Sequence, residues 1–416
     1  MKKSKYNYIV SYKNNYLLFN ALLNTSVILN KDIYSRFLSN ELADNEVVEL
    51  NRLGFLVEDD FCEADAVLFA SRNQSEKQNI FFYRIYTTMA CNAKCEYCYE
   101  KNIKPISMNY QTADKLCEFI ESKLKKDMHI YFEWFGGEPL LNYKIISYIC
   151  EKLKPIFKAN NVNFTSNMVS NGYLFNEQII KKATAEWNLK KVQITLDGTK
   201  VYYENVKKFN QPNAFERVIE NIKLLANNNV KVNIRLNYDE NNLNEILKLI
   251  NYLGKLFAFE GNVNVYARKI MRDESDNSFK ASENLDILIY KELIKVGLVK
   301  VYNIINSIPR RTNMCIAHMI NAYLVSPEGV LGKCSQCLFE KDKIGDVFSG
   351  ENERALVKWC TPRIDNKCFK CKLLPICNGG CLYEKFKNKN YCYFSEKFLK
   401  FKLKTFLKYY VNNKKA

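Results

Sequence analysis

The chain has 416 residues, of which 47% are hydrophobic, and its formal net charge at pH 7 is +17. This length predicts two or three domains, and this apolar content excludes wholesale disorder. No apolar run reaches the about 18 residues of a membrane-spanning helix, and the N-terminus lacks the apolar core of a signal peptide, so we expect a cytoplasmic protein without a transmembrane span. Lysine is abundant along the whole chain rather than in one patch, so we expect no nucleic-acid partner.

Residues 1–79 predict a small module followed by a helical linker from residue 62. YNYIVS and YLLFNA flank YKNN, which is typical of a β-hairpin, and TSVILN follows as a third strand. KDIYSRFLS and DNEVVELNRLG have helical spacing, and Gly54 stands where a helix C-cap belongs. Three strands and about three helices favour a winged-helix-like module, which would bind nucleic acid or a peptide added as a strand to its sheet edge.

Residues 80–307 alternate between strand-like and helix-like segments. The six predicted strands are IFFYRIYTTM, HIYFEWFG, VNFTSNMVS, KKVQITLD, VKVNIRLN and NVNVYARKI, and a helical pattern follows each of them. Such repeated units indicate a parallel α/β sheet with right-handed crossovers. Six units predict a partial (β/α)6 barrel of the TIM type, with its active site at the carboxyl ends of the strands.

Residues 308–395 lose this alternation and are rich in cysteine, and residues 396–416 predict a basic amphipathic helix. One face of that helix is apolar, with Leu399, Leu403, Phe406, Leu407 and Tyr410. The helix would pack on the barrel or lie on a membrane surface, and we favour packing.

The fifteen cysteines are unevenly distributed. A reducing cytoplasm disfavours a disulfide framework, so the clustered thiols indicate metal sites. Cys62, Cys117 and Cys150 stand alone, and isolated thiols are more often small core residues.

Cys91, Cys95 and Cys98 follow the first predicted barrel strand in a C-x3-C-x2-C spacing. Two thiols would suggest a redox pair or half a zinc site, and four would close a tetrahedral metal. Three thiolates on one loop leave one iron of a [4Fe–4S] cluster open. A zinc site is the competing interpretation.

This loop, with Tyr97 before its last cysteine, resembles the signature of the radical SAM superfamily. Further resemblances follow the next strands: GGEP, then the pair Ser170 and Asn171, then Asp197 in LDG, and Arg235 in the fifth strand. The resemblance implies that the open iron binds S-adenosylmethionine and that a 5′-deoxyadenosyl radical is formed. It assigns cofactor contacts to Tyr97, Gly136, Gly137, Glu138, Pro139, Ser170, Asn171, Asp197 and Arg235.

One segment departs from the family pattern. The family often has a histidine–aspartate pair and an arginine after LDG, whereas this chain has TKVYYENVKK, with Tyr203, Glu204 and Lys207 at these positions. The contacts of this turn therefore do not follow from the resemblance.

The C-terminal cysteines resemble the SPASM extension of radical SAM enzymes, which carries two auxiliary [4Fe–4S] clusters and would bring the total to three. The resemblance assigns one cluster to Cys368, Cys371, Cys377 and Cys392, and the other to Cys315, Cys334 and Cys381. Cys337 would close the second site, or its fourth iron would stay open for a substrate thiolate; we favour Cys337. A zinc ribbon would leave several of these cysteines unexplained. Cys360 is interpreted as a bystander, and His318 as structural.

The SPASM resemblance implies a maturase of ribosomally made peptides, with a precursor peptide and its leader as partner and a flavodoxin or ferredoxin as electron donor. We favour an oxidative thioether crosslink from cysteine. A carbon–carbon or ether crosslink, formylglycine formation in a sulfatase, and epimerisation are the alternatives, and a DNA-binding regulator is a different class. The general base is not identified. Four residues are unranked candidates for the cavity lining: Asp197, Tyr266, Arg268 and Tyr323.

Overall fold

A computed structural model describes residues 1–75, 79–270, 283–309, 315–336, 343–361, 363–387, 392 and 394–413. Its strands are β1 (Lys2–Lys3), β2 (Asn7–Tyr12), β3 (Asn15–Asn20), β4 (Thr25–Asn30), β5 (Leu56–Val57), β6 (Ile80–Thr88), β7 (His129–Gly136), β8 (Asn163–Ser170), β9 (Leu189–Leu196), β10 (Lys231–Tyr238), β11 (Val263–Lys269), β12 (Ala322–Val325), β13 (Val330–Gly332), β14 (Gly345–Asp346) and β15 (Gly350–Glu351). Its α-helices are α1 (Lys31–Ser39), α2 (Asp44–Arg52), α3 (Glu63–Ser75), α4 (Tyr110–Ser122), α5 (Tyr143–Ala159), α6 (Glu177–Ala185), α7 (Lys200–Lys207), α8 (Ala214–Asn227), α9 (Leu243–Phe257), α10 (Glu283–Lys295), α11 (Glu353–Cys360), α12 (Asn366–Phe369), α13 (Leu374–Cys377), α14 (Leu382–Phe386) and α15 (Glu396–Asn413).

The N-terminal region is a three-stranded antiparallel sheet in the order β2-β3-β4, followed by helices. The predicted hairpin is present, because Lys13 and Asn14 both take positive φ, as a two-residue turn between twisted strands requires. The side chain of Asn30 caps α1 by accepting a hydrogen bond from the amide of Ile33. A short pair, β1 with β5, joins the start of the chain to the end of α2.

The barrel region contains the six predicted strands as parallel neighbours, in the order β6 to β11. Alternate residues of each strand are buried against the surrounding helices, as Val192, Ile194 and Leu196 are in β9. The residues between them face the concave side, here called the lumen. The predicted partial barrel is therefore confirmed. The short helix α7, directly after β9, was not predicted.

The same sheet continues beyond the barrel into the cysteine-rich region. β12 pairs in parallel with β6, and β13, β14 and β15 follow as antiparallel neighbours. One hydrogen-bonded sheet thus crosses the predicted boundary at residue 307. The segment that leads from Cys315 to Cys334 is fixed beside the first barrel strand.

The C-terminal helix α15 packs on the N-terminal sheet rather than on the barrel alone. Its Leu399, Leu403 and Leu407 are buried in a core shared with Leu17 and Phe19 of β3. The helix also contacts α10, the last helix of the barrel region. Of the predicted apolar face, Tyr410 remains 37% exposed. No helix in the described ranges has the length and apolarity needed to cross a bilayer.

Candidate active site

The three-cysteine loop lies at the carboxyl end of β6, where the next strand of the barrel also ends. The thiol of Cys95 lies within electrostatic range of those of Cys91 and Cys98, so the three form one group. Cys91 is exposed and the other two are half-buried. The loop therefore presents three thiols from one side of the barrel mouth.

The two glycines of GGEP let this loop pack against the end of β7. A side chain at Gly136 would lie 2.1 Å from the carbonyl oxygen of Thr88, and one at Gly137 would lie 2.3 Å from that of Ala90. The amide of Glu138 donates to the oxygen of Ala90 at 2.8 Å. The close approach that the glycines permit is thus to the backbone just before Cys91.

Glu138 ties the ends of β7 and β8 together. Its carboxylate is fully buried and accepts hydrogen bonds from the Ser170 hydroxyl at 2.9 Å, the Asn171 amide at 2.8 Å and the Leu140 amide at 3.2 Å. Burial raises the pKa of Glu138 to about 7, against the effect of these donors. The Ser170 hydroxyl also accepts from the Gly172 amide at 2.9 Å. In this geometry the Glu138 carboxylate and the Ser170 hydroxyl are hydrogen-bonded to each other. Pro139 is buried at the start of the following 3-10 turn.

Asn171 lies directly against the cysteine loop. Its side-chain amide donates to Asn92 at 2.7 Å and approaches the Cys91 sulfur at 3.8 Å. Its side-chain oxygen accepts from the Tyr173 amide at 3.0 Å, which fixes the orientation of the amide group. Asn171 is therefore a predicted contact residue that touches the first thiol of the loop.

The half-buried Tyr97 forms a triad with the buried Asp197 and Lys207 behind the loop. The Tyr97 hydroxyl donates to Asp197 at 2.8 Å and accepts from Lys207 at 2.8 Å, and the lysine ammonium lies 3.1 Å from the Asp197 carboxylate. The side chains of Asp197 and Lys207 are 0% and 4% exposed. The carbonyl of Lys207 also accepts from the Lys94 amide within the loop. Helix α7 therefore holds the loop by a side chain and by its backbone.

The lumen has polar and charged walls. Arg84 of β6 forms an ion pair with Glu133 of β7 and donates to the Ser335 hydroxyl beside Cys334. Arg235 donates to Asn237 at 2.9 Å. Tyr266 donates across β10 to Gln193 at 2.6 Å, so these residues share one concave face. Arg84 was missed by the sequence analysis, although a single charge in the apolar segment IFFYRIY was a signal for it.

Of the four cavity candidates, Tyr266 and Arg268 face the lumen and two do not. Tyr323 is 2% exposed and lies in the hydrophobic core, with its ring stacked on Tyr83 at 5.3 Å. The prediction for Tyr323 was wrong because β12 joins the sheet with this side chain on the helix-covered face. The Asp197 carboxylate does not line the lumen, because Tyr97 and Lys207 bind it within the triad.

The C-terminal cysteines form two separate groups. Cys315 lies within electrostatic range of Cys334 and Cys381. Cys377 lies within that range of the other members of the second group, Cys368, Cys371 and Cys392. Cys337 lies outside the described residues. These are the cysteines to which the SPASM resemblance assigns two auxiliary clusters, and that assignment stays a prediction.

The remaining cysteines and His318 stand apart from these groups. Cys117 and Cys150 are buried in the barrel core, whereas Cys62 is exposed. His318 is 6% exposed, and burial lowers its pKa to about 4. Within the described ranges no three His, Cys, Asp or Glu side chains converge on a single metal ion. Thiolates of a [4Fe–4S] cluster bind separate irons, so cysteines need not converge on one point to hold such a cluster.

Residues 85–253 match the profile of the radical SAM superfamily. The chain is 27% identical over 308 residues to GTP 3′,8-cyclase of Clostridium perfringens, which covers 68% of this chain and 89% of that protein. It is also 23% identical over 398 residues to the radical SAM cyclopropyl synthase TigE of Paramaledivibacter caminithermalis. This match covers 84% of this chain and 79% of TigE.

Two solved structures share the fold. The anaerobic sulfatase-maturating enzyme anSMEcpe with bound AdoMet superposes with a TM-score of 0.57 at 18% identity, covering 80% of this chain and 97% of that one. SuiB of Streptococcus suis bound to its precursor peptide SuiA superposes with a TM-score of 0.52 at 13% identity, covering 95% and 99%. These likenesses extend the shared fold over nearly the whole chain.

Proposed function

We propose that this chain, a radical SAM enzyme related to peptide and sulfatase maturases, matures a ribosomally made precursor peptide. The observation that carries the proposal is the joint presence of a three-cysteine loop at the barrel mouth and an N-terminal sheet whose outer strands pair with no further strand among the described residues. A strand edge offers backbone groups to an extended peptide. SuiB, which has a similar fold over 95% of this chain, was solved with a precursor peptide.

Cys91, Cys95 and Cys98 would hold a [4Fe–4S] cluster whose fourth iron takes S-adenosylmethionine. When bound, this cluster supplies the electron for reductive cleavage to the 5′-deoxyadenosyl radical. The chain's own residues would position the cluster by holding the cysteine loop. Asn171 orients the loop at Cys91. The triad of Tyr97, Asp197 and Lys207 fixes the loop from its other side. Arg235, directed along the lumen wall, would pair with the carboxylate of the cofactor.

The leader of the precursor would add a strand to the N-terminal sheet. β2 and β4 are the edge strands, and α15 covers the face of β2 and β3. β4 is mostly half-buried or exposed, which leaves its outer edge the more accessible. The leader would therefore pair with β4, and the residue to be modified would reach the lumen.

The two C-terminal cysteine groups would hold auxiliary [4Fe–4S] clusters, with Cys337 completing the group of Cys315, Cys334 and Cys381. These clusters would accept the electron released when a substrate carbon radical forms a bond. The proposal of three clusters predicts about twelve irons per chain. Replacing Cys91, Cys95 and Cys98 together by alanine would remove about four of them.

The favoured product is a thioether between a cysteine sulfur and a substrate carbon, formed with the net loss of two hydrogens. A carbon–carbon or ether crosslink, formylglycine formation and epimerisation stay as alternatives. A flavodoxin or ferredoxin would supply the electron that reduces the SAM-binding cluster.

Mass spectrometry tests the proposal. The enzyme is expressed anaerobically with any short Cys-containing open reading frame found beside its gene, and then receives SAM and a reductant. Loss of two hydrogens with a thiol that no longer alkylates would support the thioether, and the same loss with reactive thiols would favour another crosslink. GTP is added to a parallel reaction, because of the similarity to GTP 3′,8-cyclases. Turnover of GTP with an unchanged peptide would overturn the proposal.

A further inference from the structure

We propose that the hydroxyl of Tyr8 in β2 donates a hydrogen bond to a sulfur of the outer auxiliary cluster, an inference that rests on the proposed function. The cysteines assigned to that cluster are here called the outer group: Cys368, Cys371, Cys377 and Cys392. The N-terminal module would then supply part of a redox site as well as bind the leader of the precursor.

Tyr8 is a buried side chain whose hydroxyl has no protein partner. The residue is 1% exposed. Its oxygen is shielded from solvent and makes no hydrogen bond within the part of the chain that the structure describes. Buried hydroxyls are nearly always hydrogen-bonded, because burying one without a partner is costly. We therefore expect a partner for this hydroxyl that is not one of the surrounding side chains.

The face of the N-terminal sheet that carries Tyr8 packs against the segment of the outer group. Tyr8 lies in one apolar core with Leu374 of α13, and the side chains of Cys368 and Leu373 pack against this core. The Leu373 amide donates to the sulfur of Cys371 at 3.4 Å. Two thiols of the outer group thus lie beside the core that contains Tyr8.

Two polar contacts hold the N-terminal module to the same segment. The Lys5 ammonium donates to the carbonyl of Phe369 at 3.2 Å, and the side-chain amide of Asn378 donates to the Ser71 hydroxyl of α3 at 3.2 Å. Phe369 and Asn378 each directly follow a cysteine of the outer group. The module is therefore bonded to the chain next to two of these thiols, which fixes β2 relative to them.

The electrostatic surroundings of the hydroxyl favour a sulfur as its acceptor. Burial raises the pKa of Tyr8, and the charges of Glu396 and Cys371 act in the same direction. Glu396 already has Lys400 as its ion-pair partner, at 2.7 Å. A phenol is protonated at neutral pH, so it can donate to the thiolate and sulfide sulfurs of a cluster, which carry negative charge.

Such a bond would change the redox behaviour of the cluster. Hydrogen bonds to its sulfurs raise the reduction potential, because they stabilise the additional negative charge of the reduced form. In the proposed function the electron released by the substrate radical passes to the auxiliary clusters. Tyr8 would make the outer cluster the better acceptor of that electron.

The test compares Tyr8→Phe with native Tyr8 by redox titration, monitored by EPR under anaerobic conditions. Both proteins carry Cys91→Ala, Cys95→Ala and Cys98→Ala, so that only the auxiliary clusters contribute signals. We expect the potential of one auxiliary cluster to fall in Tyr8→Phe, with reduction about tenfold less favourable, which is about 59 mV for one electron. Pulsed ENDOR of the reduced cluster should also lose one proton coupling, and native Tyr8 should lose the same coupling in D2O.

Tyr12→Phe is the matched control. Tyr12 lies on the same strand and the same face as Tyr8, and its hydroxyl reaches the side chain of the exposed Asn412 at 3.5 Å. This variant should change neither the potentials nor the proton coupling. Iron content and melting temperature verify that every variant is folded and loaded.

Three outcomes would overturn the inference. Unchanged potentials and an unchanged proton coupling in Tyr8→Phe, at full iron content, would exclude the hydrogen bond and leave the proposed function intact. An equal fall of the potential in Tyr12→Phe would mean a general effect of the N-terminal module rather than a donor. If the protein with the three alanines binds no iron, the inference fails together with the proposed auxiliary clusters.

Discussion

The ammonium of Lys207, whose side chain is 4% exposed, donates a hydrogen bond to the hydroxyl of the half-buried Tyr97 across 2.8 Å. Tyr97 belongs to the cysteine loop, and Lys207 ends the short helix α7 that follows Asp197. Family resemblance did not predict the contacts of this turn. The structure shows that a lysine here neutralises the aspartate and orients the tyrosine, so the loop depends on a residue over a hundred positions away.

Lys207→Met should release the cysteine loop. The substitution leaves Asp197 as a buried charge without its cation, which costs roughly 3–5 kcal/mol of folding free energy or displaces the loop. We expect reduced iron content and an altered EPR signal of the reduced cluster. Lys208→Met is the matched control, since Lys208 pairs with Glu96 on the surface and both side chains are more than half exposed. Equal iron in both variants would contradict the role of the triad.

Gly137→Ala should prevent the loop from packing on β7. The new methyl group would meet the carbonyl oxygens of Ala90 at 2.3 Å and Met89 at 2.6 Å, and backbone cannot move aside as a flexible side chain can. We expect a loss of about 1–3 kcal/mol in unfolding free energy, together with lower SAM cleavage. Gly261→Ala is the control, because nothing lies within 4 Å of its added carbon. Melting curves and 5′-deoxyadenosine assays of the two variants make the comparison.

Lys333→Met should disturb the group of Cys315, Cys334 and Cys381. Lys333 is 1% exposed, and its ammonium donates to the carbonyls of Met319 at 2.7 Å, Ile320 at 2.9 Å and Ala322 at 2.7 Å. It thereby ties the turn after Cys315 to the residue before Cys334. The substitution leaves these buried carbonyls unpaired, which should lower the free energy of unfolding by about 1–3 kcal/mol.

The measurement for Lys333→Met is iron content together with Mössbauer spectra of the proposed auxiliary clusters. The exposed Lys343→Met serves as control. If Lys333→Met kept all its iron and its melting temperature, this lysine would not position the cysteine group.

Leu403→Ala should loosen the N-terminal sheet although the residue lies at the other end of the chain. Leu403 is fully buried in the core that α15 shares with β2 and β3, so truncation is expected to cost about 2–5 kcal/mol. Hydrogen exchange should rise in residues 7–20 as well as in α15. Leu38→Ala, at a position 50% exposed, is the control and should change neither exchange nor stability by much. Unchanged exchange in β2 and β3 would contradict the shared core.

The sequence predicted the barrel because each of its strands and helices has its own local pattern. VQITL alternates between helix-facing and lumen-facing positions, and LNEILKLINYLGKLF has helical spacing that matches α9 from its first residue to its last. The three-cysteine loop was predicted at a strand end for the same reason. The division of the C-terminal cysteines into two groups came from the SPASM resemblance, and described members of each group lie near one another.

Contacts between distant segments could not be predicted in this way. Nothing local in AYLV indicates that β12 joins β6, so Tyr323 was expected in the cavity and lies in the core. The apolar face of α15 could be predicted from the sequence. Its packing partner, the N-terminal sheet, could not, because that contact depends on the whole fold. Glu138 and Ser170 fit a cofactor motif, and only their 2.9 Å separation shows that they bind each other.

The pairing of β12 with β6 also limits how the cysteine-rich region can move relative to the barrel. Backbone hydrogen bonds join Ala322, Tyr323, Leu324 and Val325 to the strand that carries the cysteine loop. A hinge between the barrel and the cysteine-rich region would have to break this ladder, and domain rotation occurs at loops or weak interfaces instead. The cysteine loop after β6 and the segment from Cys315 to Cys334 are therefore attached to neighbouring strands of one sheet, and we expect the two to move together rather than about a hinge.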